Sequence, residues 1–307
     1  MSTHPSAAAA DFEEHRPRMF ALAYRMLGSA AEAEDIVQDA WLRWDSADRG
    51  GVVYTGAWLA KTVTRLCLNR LDSARARREA YVGAWLPEPV FTGGGALGPL
   101  ESAEQRDGVS MALLLVLERL TPVERAVYVL REAFAYGHRE IAELLDLSEA
   151  NCRQLYRRAA ARVGAEAEAG AKPRSVPDPA RWQALVETFM AAAREGDLGR
   201  LEGLLAEDVR YVADGGGVVN AARRPILGRA HVARFLLGAL EKFTVDLPVS
   251  FVEVNGAPAL VFGEVAVLLV EFEDGLVSGL RTVLHPAKLE FLLRQLSHSG
   301  GLSGPSW

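Results

Sequence analysis

Two breaks rich in proline and glycine constrain this chain more than any other feature. Residues 85–99 read WLPEPVFTGGGALGP, and residues 170–179 read GAKPRSVPDP. Proline fixes φ and removes a backbone donor, while glycine has the most conformational freedom to lose, so neither stretch continues a helix or a central strand. The 307 residues therefore fold as separate blocks: 11–80, 101–165 and 181–297, joined by linkers at 81–100 and 166–180. Half of the residues are hydrophobic and 24% are charged, which supplies packed cores and excludes wholesale disorder.

The longest apolar stretch, Ala257 to Val270, is broken by Glu264 and is too short to span a bilayer. The opening MSTHPSAAAA has neither the basic nor the long apolar segment of a secretion signal. No membrane association and a cytoplasmic location are the expectation. Cys67 and Cys152 build no disulfide framework and sit in no metal-ligand spacing, so neither a metal nor a cofactor is expected.

The formal net charge is −6, which by itself disfavours a nucleic-acid partner, but the charge is segregated. Glu32, Glu34, Asp35, Asp39 and Asp45 share one helical stretch. Lys61, Arg65, Arg70, Arg75, Arg77 and Arg78 follow, opposed by Asp72 and Glu79. A second basic cluster is Arg153, Arg157, Arg158 and Arg162.

Block one is helical, with Ile36, Val37, Ala40, Trp41 and Trp44 at helical spacing. In block two, residues 139–158 read REIAELLDLSEANCRQLYRR. The first helix buries Ile141, Ala142 and Leu145. Asp146 takes the turn, where left-handed backbone tolerates Asp. Ser148 caps the second helix, whose inward stripe is Cys152, Leu155, Tyr156 and Ala159. Arg153, Gln154, Arg157 and Arg158 then face outward, as in a helix that can read base edges or hold phosphates in a major groove, or in a plain solvated helical hairpin with basic charge. Thr121-Pro122-Val123-Glu124 is a capping box that starts a supporting helix running to Phe134. Block three reads as helices Trp182–Glu195, Leu198–Ala206 and Arg229–Phe243 among strands Val209–Val212, Val245–Val254, Leu260–Phe262, Val265–Phe272 and Val277–Leu284.

These residues resemble a known family. Asp35-Ile36-Val37-Gln38-Asp39-Ala40-Trp41-Leu42 is similar to region 2 of bacterial sigma factors, and block two to region 4. With no region between them, the pair resembles the extracytoplasmic-function (ECF) sigma factors. Trp85-Leu86-Pro87-Glu88-Pro89 resembles a signature of the ECF subgroup with a fused C-terminal SnoaL-like domain. Asp214-Gly215-Gly216-Gly217 and the Pro286, Lys288, Leu289 run resemble two further marks of that subgroup, with Val218, His285 and Ala287 as departures.

The resemblance implies two all-α sigma domains followed by an α+β, ketosteroid-isomerase-like cone. It implies RNA polymerase core as partner, met at the β′ clamp helices by Asp35, Gln38, Asp39 and Leu42 and at the β flap by region 4. It implies −10 promoter contacts from Tyr54, Lys61, Arg65, Asn69, Arg70, Arg75, Arg77 and Arg78, and −35 contacts from Asn151, Arg153, Gln154, Arg157 and Arg158. The Trp85–Pro89, Asp214–Gly217 and Pro286–Leu289 segments become an intramolecular regulatory contact, with no separate anti-sigma factor implied. The chain is then no enzyme. The alternative class is a helix-turn-helix sensor carrying a ligand-binding or isomerase-like domain, with Asp208, Asp214, Asp246 and His231 as candidate bases.

Overall fold

The computed structural model describes residues 7–93, 109–166, 179–243 and 247–299. The side chains of Arg75, Arg77 and Arg78, and the whole of Asp246, lie outside the described residues. The chain divides into two compact units, Met1–Glu79 with Leu97–Lys172, and Ala80–Ala96 with Pro173–Trp307.

The first unit is helical among its described residues: α1 Ala7–Leu27, α2 Ala30–Ser46, α3 Thr55–Glu79, α4 Met111–Leu117, α5 Pro122–Glu132, α6 His138–Leu145 and α7 Glu149–Glu166. Gly28, at φ +66°, ends α1, and the Ser29 hydroxyl accepts the Glu32 N–H at 3.1 Å to start α2. Helix α2 buries Ala33, Ile36, Val37, Ala40 and Trp44. The Trp44 indole donates to the Ala8 carbonyl at 3.0 Å, so the buried ring leaves no donor unmet. Helix α3 buries Leu59, Val63, Leu66 and Cys67 against the same core.

Local chemistry also sets block two. The Thr121–Glu124 capping box forms in both directions. Asp146 sits at φ 56° between α6 and α7, and the Ser148 hydroxyl accepts the Asn151 N–H at 3.2 Å. Cys152, Leu155 and Ala159 are buried, so the outward face of α7 is the one expected from its periodicity.

The second unit runs α8 Pro179–Arg194, α9 Leu198–Leu204, β1 Leu205–Asp214, β2 Ile226–Leu227, α10 Arg229–Phe243, β3 Val249–Val254, β4 Ala257–Phe262, β5 Ala266–Glu273, β6 Leu276–Val283 and α11 Pro286–Ser299. The sheet order is β2-β1-β6-β5-β4-β3, with β1 and β6 parallel and the other neighbours antiparallel. Asn255-Gly256 and Asp274-Gly275 all have positive φ, the conformation a tight hairpin requires. Register shifts at Glu271/Phe272 and Leu205/Arg210 bend the sheet toward a cone.

One sheet face, with Tyr211, Leu260, Leu268, Val270 and Leu280, packs in a core with Trp182, Phe189 and Leu236 of the helices. The alternate residues Ala259, Val261, Val267, Leu269 and Val283 are buried too. Leu86 and Val90 from the linker, and Leu289, Phe291, Leu292 and Leu296 from α11, are buried in the same unit.

Three readings of the sequence differ from the structure, the first being that α6 buries Leu144 rather than Leu145 beside Ile141 and Ala142. Residues 286–299, where the sequence reading placed no element, form a helix, because Pro286 suits the first helical position and Leu289, Leu292 and Leu296 recur at helical spacing. Strand β2, missing from the sequence reading, is too short to carry a periodic signal.

Candidate functional site

The exposed face of α7 carries Asn151, Arg153, Gln154, Arg157 and Arg158. Arg153 pairs with Glu149 at 2.6 Å. Arg158 and Arg162 reach the buried Glu124 at 3.4 and 2.7 Å. On α3, Lys61, Arg65 and Asn69 are at least partly exposed. The Arg65 guanidinium pairs with the Asp146 carboxylate, and the Lys61 ammonium lies 3.8 Å from it while donating to the Glu143 carbonyl at 3.3 Å. Two cations expected on the −10 element thus lie directly on the turn of the helix-turn-helix.

A second junction joins the same blocks from inside. Arg125 of α5 is buried and donates to the Met26 carbonyl of α1 at 2.5 Å, to the Leu117 carbonyl at 2.8 Å and to Glu118 at 2.5 Å. Burial pushes its guanidinium down to about 9, while the satisfied hydrogen bonds make its position tolerable. Cys67, in the same interior, is pushed up by burial and is not a reactive thiolate.

The acidic face of α2 is only partly free. Gln38, Asp39 and Leu42 are exposed, with Leu42 at 58%. Asp35 pairs with Arg70 at 3.4 Å, and Arg70 also lies 3.7 Å from Glu32. A residue expected on polymerase and one expected on DNA therefore hold each other. Just before α3, Val53 and Tyr54 are 81% and 75% exposed, an unusual state for adjacent apolar and aromatic side chains.

In the second unit, three motifs distant in sequence converge on one buried ion pair. Asp214, at the end of β1, is wholly buried. Its carboxylate accepts the Lys288 ammonium at 2.7 Å, the Leu86 N–H at 2.8 Å, the Tyr81 hydroxyl at 2.6 Å and the Gly216 N–H at 3.1 Å. Lys288 also donates to the Leu86 carbonyl at 2.6 Å, and its ammonium lies 4.5 Å from the Trp85 ring and 4.8 Å from the Tyr81 ring. Burial, then the bond to Asp214, pushes the Tyr81 phenol up, so it stays a donor. Gly216 and Gly217 have positive φ, and a Cβ there would meet His285 and Val82 respectively, so the turn closes against its neighbours only with glycine.

The linker continues along the sheet edge. Val90 exchanges hydrogen bonds with Asn255, Thr92 donates to the Glu253 carbonyl at 3.0 Å, and Phe91 donates to Gln295 at 2.8 Å. Leu86, Pro87, Pro89 and Val90 are buried, whereas Glu88 is half-buried. A passive spacer would show none of this. Asn255, Thr92, Gln295 and Tyr81 are partners of the linker contact that sequence reasoning missed. Of the subgroup departures, His285 stacks near Tyr81 at 6.4 Å, and Val218 and Ala287 are exposed.

Among the described residues, the candidate bases Asp208, Asp214 and His231 do not assemble. Asp208 and His231 are exposed, and Asp214 is filled by four donors, about the capacity of a carboxylate. Among the described residues no group of three or more His, Cys, Asp or Glu side chains could hold a metal ion, and no helix is long and apolar enough to cross a membrane.

Comparison with known proteins follows the same division. Models of sigma-70 region 2 and sigma-70 region 4 match residues 12–77 and 110–163. The ECF RNA polymerase sigma factor SigJ of Mycobacterium tuberculosis is 43% identical over 233 residues, covering 76% of this chain and 73% of that protein. The probable ECF sigma factor SigI of the same organism is 31% identical over 302 residues, covering 96% and 99%. The crystal structure of M. tuberculosis SigJ matches with a TM-score of 0.72 at 35% identity, over 92% of this chain and 98% of that one. The region 2 and region 4 blocks are matched directly and the SigJ structure also spans the C-terminal α+β unit, so the chain belongs to the ECF RNA polymerase sigma factors.

Proposed function

We propose that this sigma factor meets the β′ clamp helices of core polymerase through Gln38, Asp39 and Leu42 with neighbouring Asp35. It meets the β flap through the region 4 block, reads the −10 element from Tyr54 and the basic α3, and reads the −35 element from α7. Its C-terminal domain restrains these activities by holding the linker between the two blocks. The protein works in the cytoplasm and carries out no catalytic chemistry of its own. The proposal involves no separate anti-sigma protein, the kind of partner with which the sigma factor RpoE of Bartonella quintana was crystallised as its NepR complex.

One observation carries the reading: Arg65 and Lys61 are paired with Asp146. By their names the −10 and −35 elements lie about 25 base pairs apart, roughly 85 Å at 3.4 Å per pair. Helices in direct contact cannot occupy both, so this arrangement is a resting form and the blocks separate on the promoter. The pairs that close it are exposed, and such pairs contribute about 0–1 kcal/mol each. Promoter phosphates compete for the same cations and can replace Asp146.

Asp39→Arg tests the polymerase face. Asp39 is exposed, so the fold should survive, while its charge reverses against a partner that takes an acidic strip. Capture of core polymerase should fall about tenfold or more. Unchanged capture by a folded variant would remove this face from the interface.

A further inference from the structure

The −35-reading helix carries Arg153, Arg157, Arg158 and Arg162, and a single buried carboxylate divides them. Glu124 is the third residue of α5, and its side chain is 3% exposed. It accepts the Thr121 N–H at 3.1 Å and the Thr121 hydroxyl at 2.9 Å. The same carboxylate takes Arg162 at 2.7 Å and lies 3.4 Å from the Arg158 Nε. Burial pushes this carboxyl up, but the Thr121 bonds and the two arginines prevail and hold it below its ordinary value.

Helix geometry separates the arginines in the same way. At about 100° per residue, Gln154 and Arg157 point directly away from the buried stripe of Cys152, Leu155 and Ala159. Arg158 and Arg162 lie on the flank. Gln154 and Arg157 are exposed, and no hydrogen bond or ion pair of their side chains is seen among the described residues.

We propose that Glu124 is a positioning residue for −35 recognition. Its carboxylate keeps Arg158 and Arg162 off the phosphates and sets the rotation of α7, so that Gln154 and Arg157 meet the DNA. This rests on the assignment of α7 to the −35 element made above. It also changes what is expected of Arg158: a side chain that orients the helix rather than one that reads the duplex.

The test uses holoenzyme assembled from the full chain and core polymerase, with promoter-fragment affinity measured against salt and against single-base −35 variants. Each lost phosphate contact reduces the slope of log affinity against log salt by about 0.9. Arg157→Gln should show that reduction. Arg158→Gln and Arg162→Gln should leave the slope unchanged. Glu124→Gln keeps the cap, because Gln serves at the third helical position, but frees both cations. Its slope should steepen by about 0.9–1.8, and discrimination against single-base variants should fall about fivefold. A flattened slope in Arg158→Gln or Arg162→Gln overturns the proposal. So does a Glu124→Gln variant that only melts earlier, with slope and base preference unmoved. If Arg157→Gln also leaves the slope untouched, α7 is not on the DNA and the underlying assignment fails first.

Discussion

Lys288→Met is expected to release the linker from the C-terminal domain. The substitution keeps the length of the side chain and removes the cation from a carboxylate with no exposure. Breaking a buried pair from one side costs about 3–5 kcal/mol, because the remaining charge is left uncompensated. That is a factor of more than 100 in the population of the held form. The Leu86 amide, which donates to Asp214, and the Val90 amide, which donates to Asn255, should lose hydrogen-exchange protection together. The double change Asp214→Asn with Lys288→Met should recover a large part of the loss, since replacing both partners of a buried pair is often close to neutral. Protection of Leu86 and Val90 equal to that of the wild type in the single variant would show that the ion pair does not hold the linker.

Arg125→Met should have the second largest effect. It strips donors from the carbonyls of the buried Met26 and Leu117 and from the partly exposed Glu118. Each buried acceptor left unsatisfied costs about 1–3 kcal/mol, and the methionine returns part of this through apolar burial. A net loss of about 2–4 kcal/mol follows, and the share from the Met26 carbonyl falls at the junction between the region 2 and region 4 blocks. With fluorescent labels on exposed positions of α3 and α7, energy transfer should fall as the blocks separate. Unchanged transfer in a variant that unfolds earlier would mean that Arg125 stabilises α5 alone and does not latch the two blocks.

What could be read in advance follows the range of the interactions. The capping box at Thr121–Glu124, the left-handed Asp146 and the Ser148 cap were legible because each is decided within four residues. The outward face of α7 was legible because the buried stripe repeats every turn. Asn255-Gly256 and Asp274-Gly275 are strong hairpin signals and could have moved the start of β4 back to Ala257. The helix at 286–299 was likewise available from Pro286 and the leucine spacing.

The clamp was not legible. The subgroup resemblance singled out Trp85, Asp214 and Lys288, but spacing along the chain cannot say that they meet around one charge. Nor could Tyr81, Asn255 or Gln295 be found, since each acquires its role only when the linker lies on the sheet edge. The same limit applies to Arg65 and Asp146. Both carry the expected charge for an exposed helix and turn, and only the packed blocks bring them together.

Run-off transcription with purified core polymerase tests the central claim most directly, comparing the full chain with its folded Lys288→Met variant on one promoter. The account predicts promoter-specific transcripts with the full chain and a severalfold higher yield with the variant, because releasing the linker favours the separated form that spans both elements. A variant yield equal to or below that of the full chain would contradict restraint by the clamp. Absence of promoter-specific transcripts with either protein would contradict the account as a whole.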